Sequence, residues 1–182
     1  MKTLSNVCKY SFIFLALLMT ACDKDDDETT DADDDTTAAA GAEFLTAKVD
    51  GAAFAAAQDP AVIVGAQIGG TGASTVLVFQ GGTNAGETIS IAINGYTGPG
   101  TYTTGDSPTN TSSASYITID PLANWGSNLA SSLVGGLQAG MIEITAEDGS
   151  VVEGTFSFEG YNGDDMTSKM ITEGKFKANI DE

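Results

Sequence analysis

Isoleucine occupies every second position of residues 89–93, where Ile89, Ile91 and Ile93 alternate with small or polar side chains over residues 87–94. A strict period of two places alternate side chains on opposite faces of an extended strand, one face buried and the other wet. The same alternation recurs in residues 115–119, 140–145, 152–158 and 174–180. This pattern predicts a chain built from half-buried strands.

Further apolar runs and turn residues complete the prediction. Residues 75–79 are continuously apolar and predict a central strand, while residues 45–49 and 62–64 predict two more. Turn signals, including Glu147-Asp148-Gly149 and Asn162-Gly163-Asp164, separate the alternating runs. We therefore expect an all-β, mainly antiparallel β-sandwich of roughly 8–11 strands. A closed lipocalin-like barrel is the alternative.

Residues 121–136 depart from this alternation. Leu122, Trp125, Leu129 and Leu133 are spaced by three or four residues, and Pro121 suits the first turn of a helix that Asp120 would cap. Three glycines in the segment disfavour a long helix. The segment predicts one short helix, or a packed loop, near 121–136.

The N-terminus has the pattern of a secretory signal peptide over residues 1–21. Lys2 and Lys9 precede an apolar stretch at 11–19, and small residues lead to Cys22. The stretch is shorter than the ~20 apolar residues that span a bilayer.

The residues Met19-Thr20-Ala21-Cys22 resemble the lipobox of bacterial lipoproteins, although Met19 stands where leucine is usual. The resemblance implies cleavage before Cys22 and lipidation of its sulfur. Two or three acyl chains hold a protein stably at a membrane. The implied partner is therefore the membrane, contacted through the lipid on Cys22.

Residues 22–42 predict an acidic tether, because nine carboxylates follow Cys22 and small residues complete the segment. Such a composition buries too little apolar area to order itself. The run after Cys22 also resembles the acidic export tag of Bacteroidetes-type surface lipoproteins, which implies display on the outer membrane at the cell surface. Asp23, directly after Cys22, leaves a periplasm-facing location as the alternative.

Residues 43–182 predict a single domain with 16 acidic residues, four lysines and no arginine or histidine. Nucleic-acid binding is excluded, because phosphate contacts require basic patches. Without histidine or cysteine this domain also has no Ser-His-Asp, Cys-His or His-zinc chemistry, so we expect no cofactor and no catalytic residues.

A glycosidase needs only two carboxylates, and Glu143, Glu153, Glu159 and Glu173 are its possible members. All four fall on the outward phase of their strands, which favours a solvated sheet face instead.

Aromatic residues are the candidate ligand-binding groups. Trp125, Tyr96, Tyr102 and Tyr161, together with Tyr116, have the chemistry of a sugar-stacking platform on loops. The alternative is that Trp125 closes one end of the core and the tyrosines pack at strand ends with wet hydroxyl groups.

Asn162, Asp164 and Asp165 place three side-chain oxygen donors on one turn, which makes them weak calcium candidates. The alternative is a polar hairpin loop, since Asn, Gly and Asp are common turn residues. We expect no metal site elsewhere.

Several phrases together resemble a family of uncharacterised Bacteroidetes lipoproteins that carry a β-rich domain of unknown function. They are Phe44-Leu-Thr-Ala-Lys-Val-Asp-Gly51, Gly100-Thr-Tyr-Thr-Thr-Gly105, Gly140-Met-Ile-Glu-Ile-Thr145, Gly154-Thr-Phe-Ser-Phe158 and Ile171-Thr-Glu-Gly-Lys-Phe176. The resemblance implies the fold and the location but brings no catalytic residues.

We therefore expect a non-enzymatic binding or structural-interaction module with a protein or glycan ligand. The alternatives are a small-ligand carrier and a carbohydrate-binding protein or carboxylate-pair glycosidase.

Overall fold

The computed structural model describes residues 42–57 and 64–181. The predicted signal peptide, Cys22, nearly all of the tether and residues 62–63 of one predicted strand lie outside the described residues. Eleven strands, a short 3₁₀ turn at Gly72–Ser74 and one α-helix make up the fold. The elements are β1 Phe44–Val49, β2 Ala52–Ala55, β3 Gly65–Gly69, β4 Val76–Gly82, β5 Thr88–Asn94, β6 Gly100–Thr104, β7 Ser113–Ile119, β8 Leu122–Ser127, α1 Leu129–Gly135, β9 Gly140–Glu147, β10 Val151–Asn162 and β11 Thr167–Asp181.

All eleven strands belong to one mixed sheet, in the order β2-β1-β11-β3-β4-β5-β7-β8-β10-β9-β6. β10 and β11 also pair with each other along most of their length, although they stand apart in this order. The β11–β3 pairing is parallel, whereas the other pairings are antiparallel. The prediction of an all-β fold with 8–11 strands and one short helix is confirmed, and the strands form one continuous sheet.

The core lies between parts of this sheet that are distant in strand order. The ring of Phe54 in β2 meets that of Tyr116 in β7 edge to face, with centroids 6.5 Å apart. These two strands are not neighbours, so the sheet bends until its inner faces meet. Phenylalanines fill the middle of the core, where Phe156 packs against Phe79, Phe158 and Phe176.

The short helix begins later than the sequence indicates. Residues 122–127 form strand β8, and the cis peptide bond between Asp120 and Pro121 lies in the tight turn that joins β7 to β8. Asn128 is the N-cap of α1, because its side chain accepts a hydrogen bond from the Ser131 N–H at 3.1 Å. Asp120 therefore caps no helix, and Trp125 is a strand residue paired with Tyr116.

Within the part of the chain that the structure describes, no helix has the length and apolar composition needed to cross a bilayer.

Candidate functional site

The strand β6 borders a polar cleft of about 450 Å³. β6 is the last strand of the sheet and pairs with β9 alone, so the loop at 105–112 and the end of β5 lie along its other side. All the lining residues are uncharged, and most carry a hydroxyl or an amide. They are Ala73, Asn94, Gly95, Thr101, Tyr102, Thr103, Thr109, Asn110, Thr111 and Ser112.

Asp106 holds one wall of the cleft together. Its carboxylate accepts hydrogen bonds from the side-chain amide of Asn110 at 2.6 Å and from the Thr103 hydroxyl at 2.7 Å. These two bonds hold the pKa of the Asp106 carboxyl below its usual value, because they favour the ionised form. Asn110 also donates to the backbone carbonyl of Thr103 at 2.7 Å, which ties the loop to the free edge of β6.

The same network continues to the opposite wall. The Asn110 side-chain oxygen accepts from the Ser112 N–H at 2.9 Å, and the Ser112 hydroxyl accepts from the Asn94 N–H at 3.0 Å. The Asn94 side-chain amide then donates to the Thr111 carbonyl at 2.9 Å. A continuous chain of hydrogen bonds therefore links β6, the loop and β5, and it orders the cleft before any ligand arrives.

Tyr102 borders the cleft and is half-buried, and its side chain packs against the core on the opposite face of β6 from those of Thr101 and Thr103. Its hydroxyl donates to the Gly98 carbonyl at 2.6 Å and accepts from the Thr97 N–H at 3.2 Å. Its ring lies 5.6 Å, centroid to centroid, from that of Tyr96, which is 5% exposed. Burial raises the pKa of Tyr96 to about 12, and its hydroxyl has no hydrogen-bond partner among the described residues.

The other two aromatic candidates lie elsewhere. Trp125 is buried, and its indole N–H donates to the Thr167 hydroxyl at 2.9 Å. Tyr161 pairs with Gly126, the residue after Trp125, so Tyr161 and Trp125 point to opposite faces of the sheet. The structure therefore brings Tyr96 and Tyr102 together and separates them from Trp125 and Tyr161.

The calcium candidates at the β10–β11 turn use oxygen atoms to hold the turn itself. The Asn162 side-chain oxygen accepts from the Asp164 N–H at 2.9 Å. An Asp165 oxygen accepts from both the N–H and the hydroxyl of Thr167, at 3.0 and 2.7 Å. Within residues 42–57 and 64–181, no group of three or more acidic residues is placed to hold a metal ion.

Two of the four candidate glutamates share a groove of about 330 Å³ on β9, β10 and β11. Glu143 and Glu173 both line it, beside Met141 and Lys175. The Glu173 carboxylate pairs with the Lys48 ammonium at 2.9 Å. Glu153 pairs instead with Lys177 at 3.5 Å, away from this groove.

Sequence reasoning missed most of the cleft. Asn94, Asn110 and Ser112 were not among the candidates, although residues 101–115 are conspicuously rich in Thr, Ser and Asn. That composition is the signal from which the site could have been predicted, but it is equally typical of an ordinary polar loop.

A family model described as a domain of unknown function, DUF6252, matches residues 42–178, which include every residue of the cleft. No curated protein matches the chain. No solved structure matches it either.

Proposed function

The chain belongs to the DUF6252 family, and we propose that it is a lipid-anchored surface lipoprotein whose β-domain is a non-enzymatic binding module. The polar cleft beside β6, which we call the β6 cleft, is its binding site. The ordered, uncharged lining of the β6 cleft is the observation that carries this proposal.

The size and order of the β6 cleft support binding. Its volume of about 450 Å³ falls in the range of roughly 300–1,000 Å³ that is typical of ligand sites. The network of hydrogen bonds that runs from Asp106 through Asn110 and Ser112 to Asn94 fixes the wall atoms. Little conformational entropy is therefore lost when a ligand binds.

The filled interior favours a surface site over a carrier cavity. Phe79 and Phe176 are each 1% exposed and stack on one another in the core. A carrier would instead keep apolar space open at this position. The β6 cleft and the β9–β11 groove both open to solvent.

Anchoring is supported by Cys22 and the tether behind it. Twenty extended residues reach about 70 Å, at roughly 3.3–3.6 Å per residue, so the β6 cleft would stand well clear of the membrane. We propose that the cleft thereby meets ligands outside the outer membrane.

Labelling of cells with an alkyne analogue of palmitate tests the anchor. The protein isolated from cells that produce the full precursor should carry the label, and the isolated Cys22→Ala variant should not. Protease treatment of intact cells should degrade the wild-type domain. Incorporation into the Cys22→Ala variant would contradict lipidation at this residue, and protection of the domain in intact cells would contradict surface display.

Retention on immobilised polymers tests the binding role. The lipidated protein in detergent micelles is passed over neutral polysaccharides, acidic polysaccharides and matrix proteins. We expect retention on at least one support and its loss in Thr101→Trp, which fills the β6 cleft. Thr155→Trp is the matched control, because Thr155 is an exposed strand threonine outside the cleft. Retention that Thr101→Trp leaves intact would overturn the cleft as the site, and retention on no support would overturn the binding role.

A further inference from the structure

The atoms that line the β6 cleft point to one chemical class of ligand. We infer that the cleft binds a neutral glycan and rejects glycans that carry carboxylate or sulfate groups. This inference rests on the proposed binding role and specifies the ligand for it.

Some polar groups of the cleft are already used inside the protein. Asn110 donates its side-chain amide to the Asp106 carboxylate and the Thr103 carbonyl, and its oxygen accepts from Ser112. Both donor hydrogens of the Asn110 side chain are therefore engaged, and its oxygen already accepts one hydrogen bond. Asn110 is therefore part of the scaffold of the cleft.

Other lining groups remain available. Thr101 and Thr111 are exposed, and their hydroxyls make no hydrogen bond to another described residue. Asn94 donates its amide to Thr111, but its side-chain oxygen accepts no hydrogen bond within the described ranges. The wall thus offers two hydroxyls, which donate or accept, the Asn94 oxygen, which only accepts, and the second N–H of the Asn94 amide, which only donates.

A sugar hydroxyl suits this set because it both donates and accepts. It can donate to an acceptor such as the Asn94 oxygen, and it can accept from a threonine hydroxyl. The amide and hydroxyl groups of the wall therefore match the several hydroxyl groups of a pyranose.

An anionic glycan finds no counter-charge here. All the described lining residues are neutral. The charged group to which two of them, Thr103 and Asn110, donate hydrogen bonds is the Asp106 carboxylate. A sulfate or carboxylate would have to shed water without an ionic partner, which is costly. The field of Asp106 and the overall charge of −18 add repulsion.

Addition of a peptide strand to β6 is less well supported. The Thr103 carbonyl on the free side of β6 already accepts from the Asn110 side chain. That bond blocks a backbone group that an incoming strand would need, in the way that natural sheets protect their edges.

A glycan array tests the inference with neutral oligosaccharides and their uronic-acid or sulfated counterparts of matched linkage. The probe is the full lipidated chain in detergent micelles. We expect binding to neutral members, at least about tenfold weaker binding to the acidic counterparts, and a similar loss of neutral binding in Asn94→Ala and in Thr101→Val. Thr155→Val is the control and should bind as the wild type does.

A positive charge added to the cleft wall makes the test sharper. Thr101→Lys places a cation in the cleft wall and should narrow or invert the preference for neutral over acidic glycans. Equal circular dichroism spectra and melting temperatures verify that the variants are folded. Preference of the wild type for acidic glycans, or binding to no glycan, would overturn the inference. The binding role would survive that result if a protein support retained the wild type and released Thr101→Trp.

Discussion

The rings of Phe79 and Phe176 stack nearly parallel, with centroids 3.8 Å apart and planes that differ by 11°. Phe79 lies in β4 and Phe176 in β11, and β3 stands between these strands in the sheet. The contact is therefore made by side chains across the curved inner face and not by strand pairing. It couples β4 to the strand that also contacts β1, β3 and β10.

We expect Phe176→Ala to lower the free energy of unfolding by about 3–5 kcal/mol, since it removes a fully buried ring and leaves a cavity. Urea denaturation followed by circular dichroism measures the change. The neighbouring Lys175→Ala is the control, because Lys175 is exposed and its removal should cost within about 0.5 kcal/mol. A loss below about 1 kcal/mol for Phe176→Ala would contradict the central role of this stack.

Replacement by alanine should destabilise the protein at one of two glycines near the end of β10 and have little effect at the other. A Cβ on Gly160 would lie 2.6 Å from the Trp125 carbonyl oxygen and 2.9 Å from the Trp125 Cβ. Gly160→Ala should therefore destabilise the protein by about 1–3 kcal/mol through overpacking. For Gly163→Ala, where the nearest atom lies 4.0 Å away, we expect a change within about 0.5 kcal/mol in thermal denaturation. Equal effects at both positions would refute this close approach of β8 to β10.

Tyr116 should make stability fall in alkali. Burial raises the pKa of its hydroxyl, and so does the hydrogen bond that it donates to Glu87. In the unfolded chain a tyrosine ionises near pH 10, so the stabilisation is complete below about pH 10 and is lost as the pH rises toward the folded value. Tyr116→Phe should flatten this alkaline decline in melting temperature. Ser113→Ala on the same strand is the control, and an unchanged slope in Tyr116→Phe would contradict the assignment.

Asp50 should contribute stability that acid removes. The Lys169 ammonium at 2.8 Å and the Met170 N–H at 2.9 Å hold the pKa of this carboxyl below its usual value. The contribution is therefore present above about pH 4 and is lost as the pH falls through the lowered pKa. Asp50→Asn keeps a residue that tolerates the positive φ of 49°. It should cost no more than about 1 kcal/mol near neutral pH, because the pair is largely exposed.

The difference in melting temperature between wild type and Asp50→Asn should shrink as the pH falls from 6 to 2. Asp164→Asn is the control, because the Asp164 carboxylate bonds no other described residue. A difference that stays constant across this range would show that the Asp50 charge contributes nothing.

The period-two segments were predictable because each buries one continuous row of large side chains. Ile89, Ile91 and Ile93 are all fully buried in β5, and the hairpin turn at 147–149 joins β9 to β10 as expected. Here local pattern and tertiary burial agree, so the sequence alone was sufficient.

The strands that escaped prediction lack such a row. β6 has Gly, Thr and Tyr, and its largest side chain, Tyr102, is only half-buried. β8 has a single large buried residue, Trp125, and the spacing of Leu122 from it imitates a helix although Leu122 is 81% exposed. Pairing with neighbours that are distant in sequence, and not local preference, makes these segments strands.

Prediction of the β6 cleft would have required prediction of β6 and of the path of the loop beside it. Tyr102 was recognised as a candidate, but most other residues of the wall belong to the loop at 105–112 and to the end of β5. Nothing in a linear pattern reports that Asn110 reaches the free side of β6, because that contact follows from the path of the loop.

The antiparallel pairing of β1 with β11 brings Phe44 opposite Lys177, so the first and last of the described strands are neighbours in the sheet. During synthesis from the N-terminus β1 can pair with β2 at once, but its other edge stays unpaired until β11 has been made. The same C-terminal strand supports β3 and β10. Removal of β11 would deprive β1, β3 and β10 of one neighbour each, although each keeps another, so β11 is the strand at which separate parts of the sheet meet.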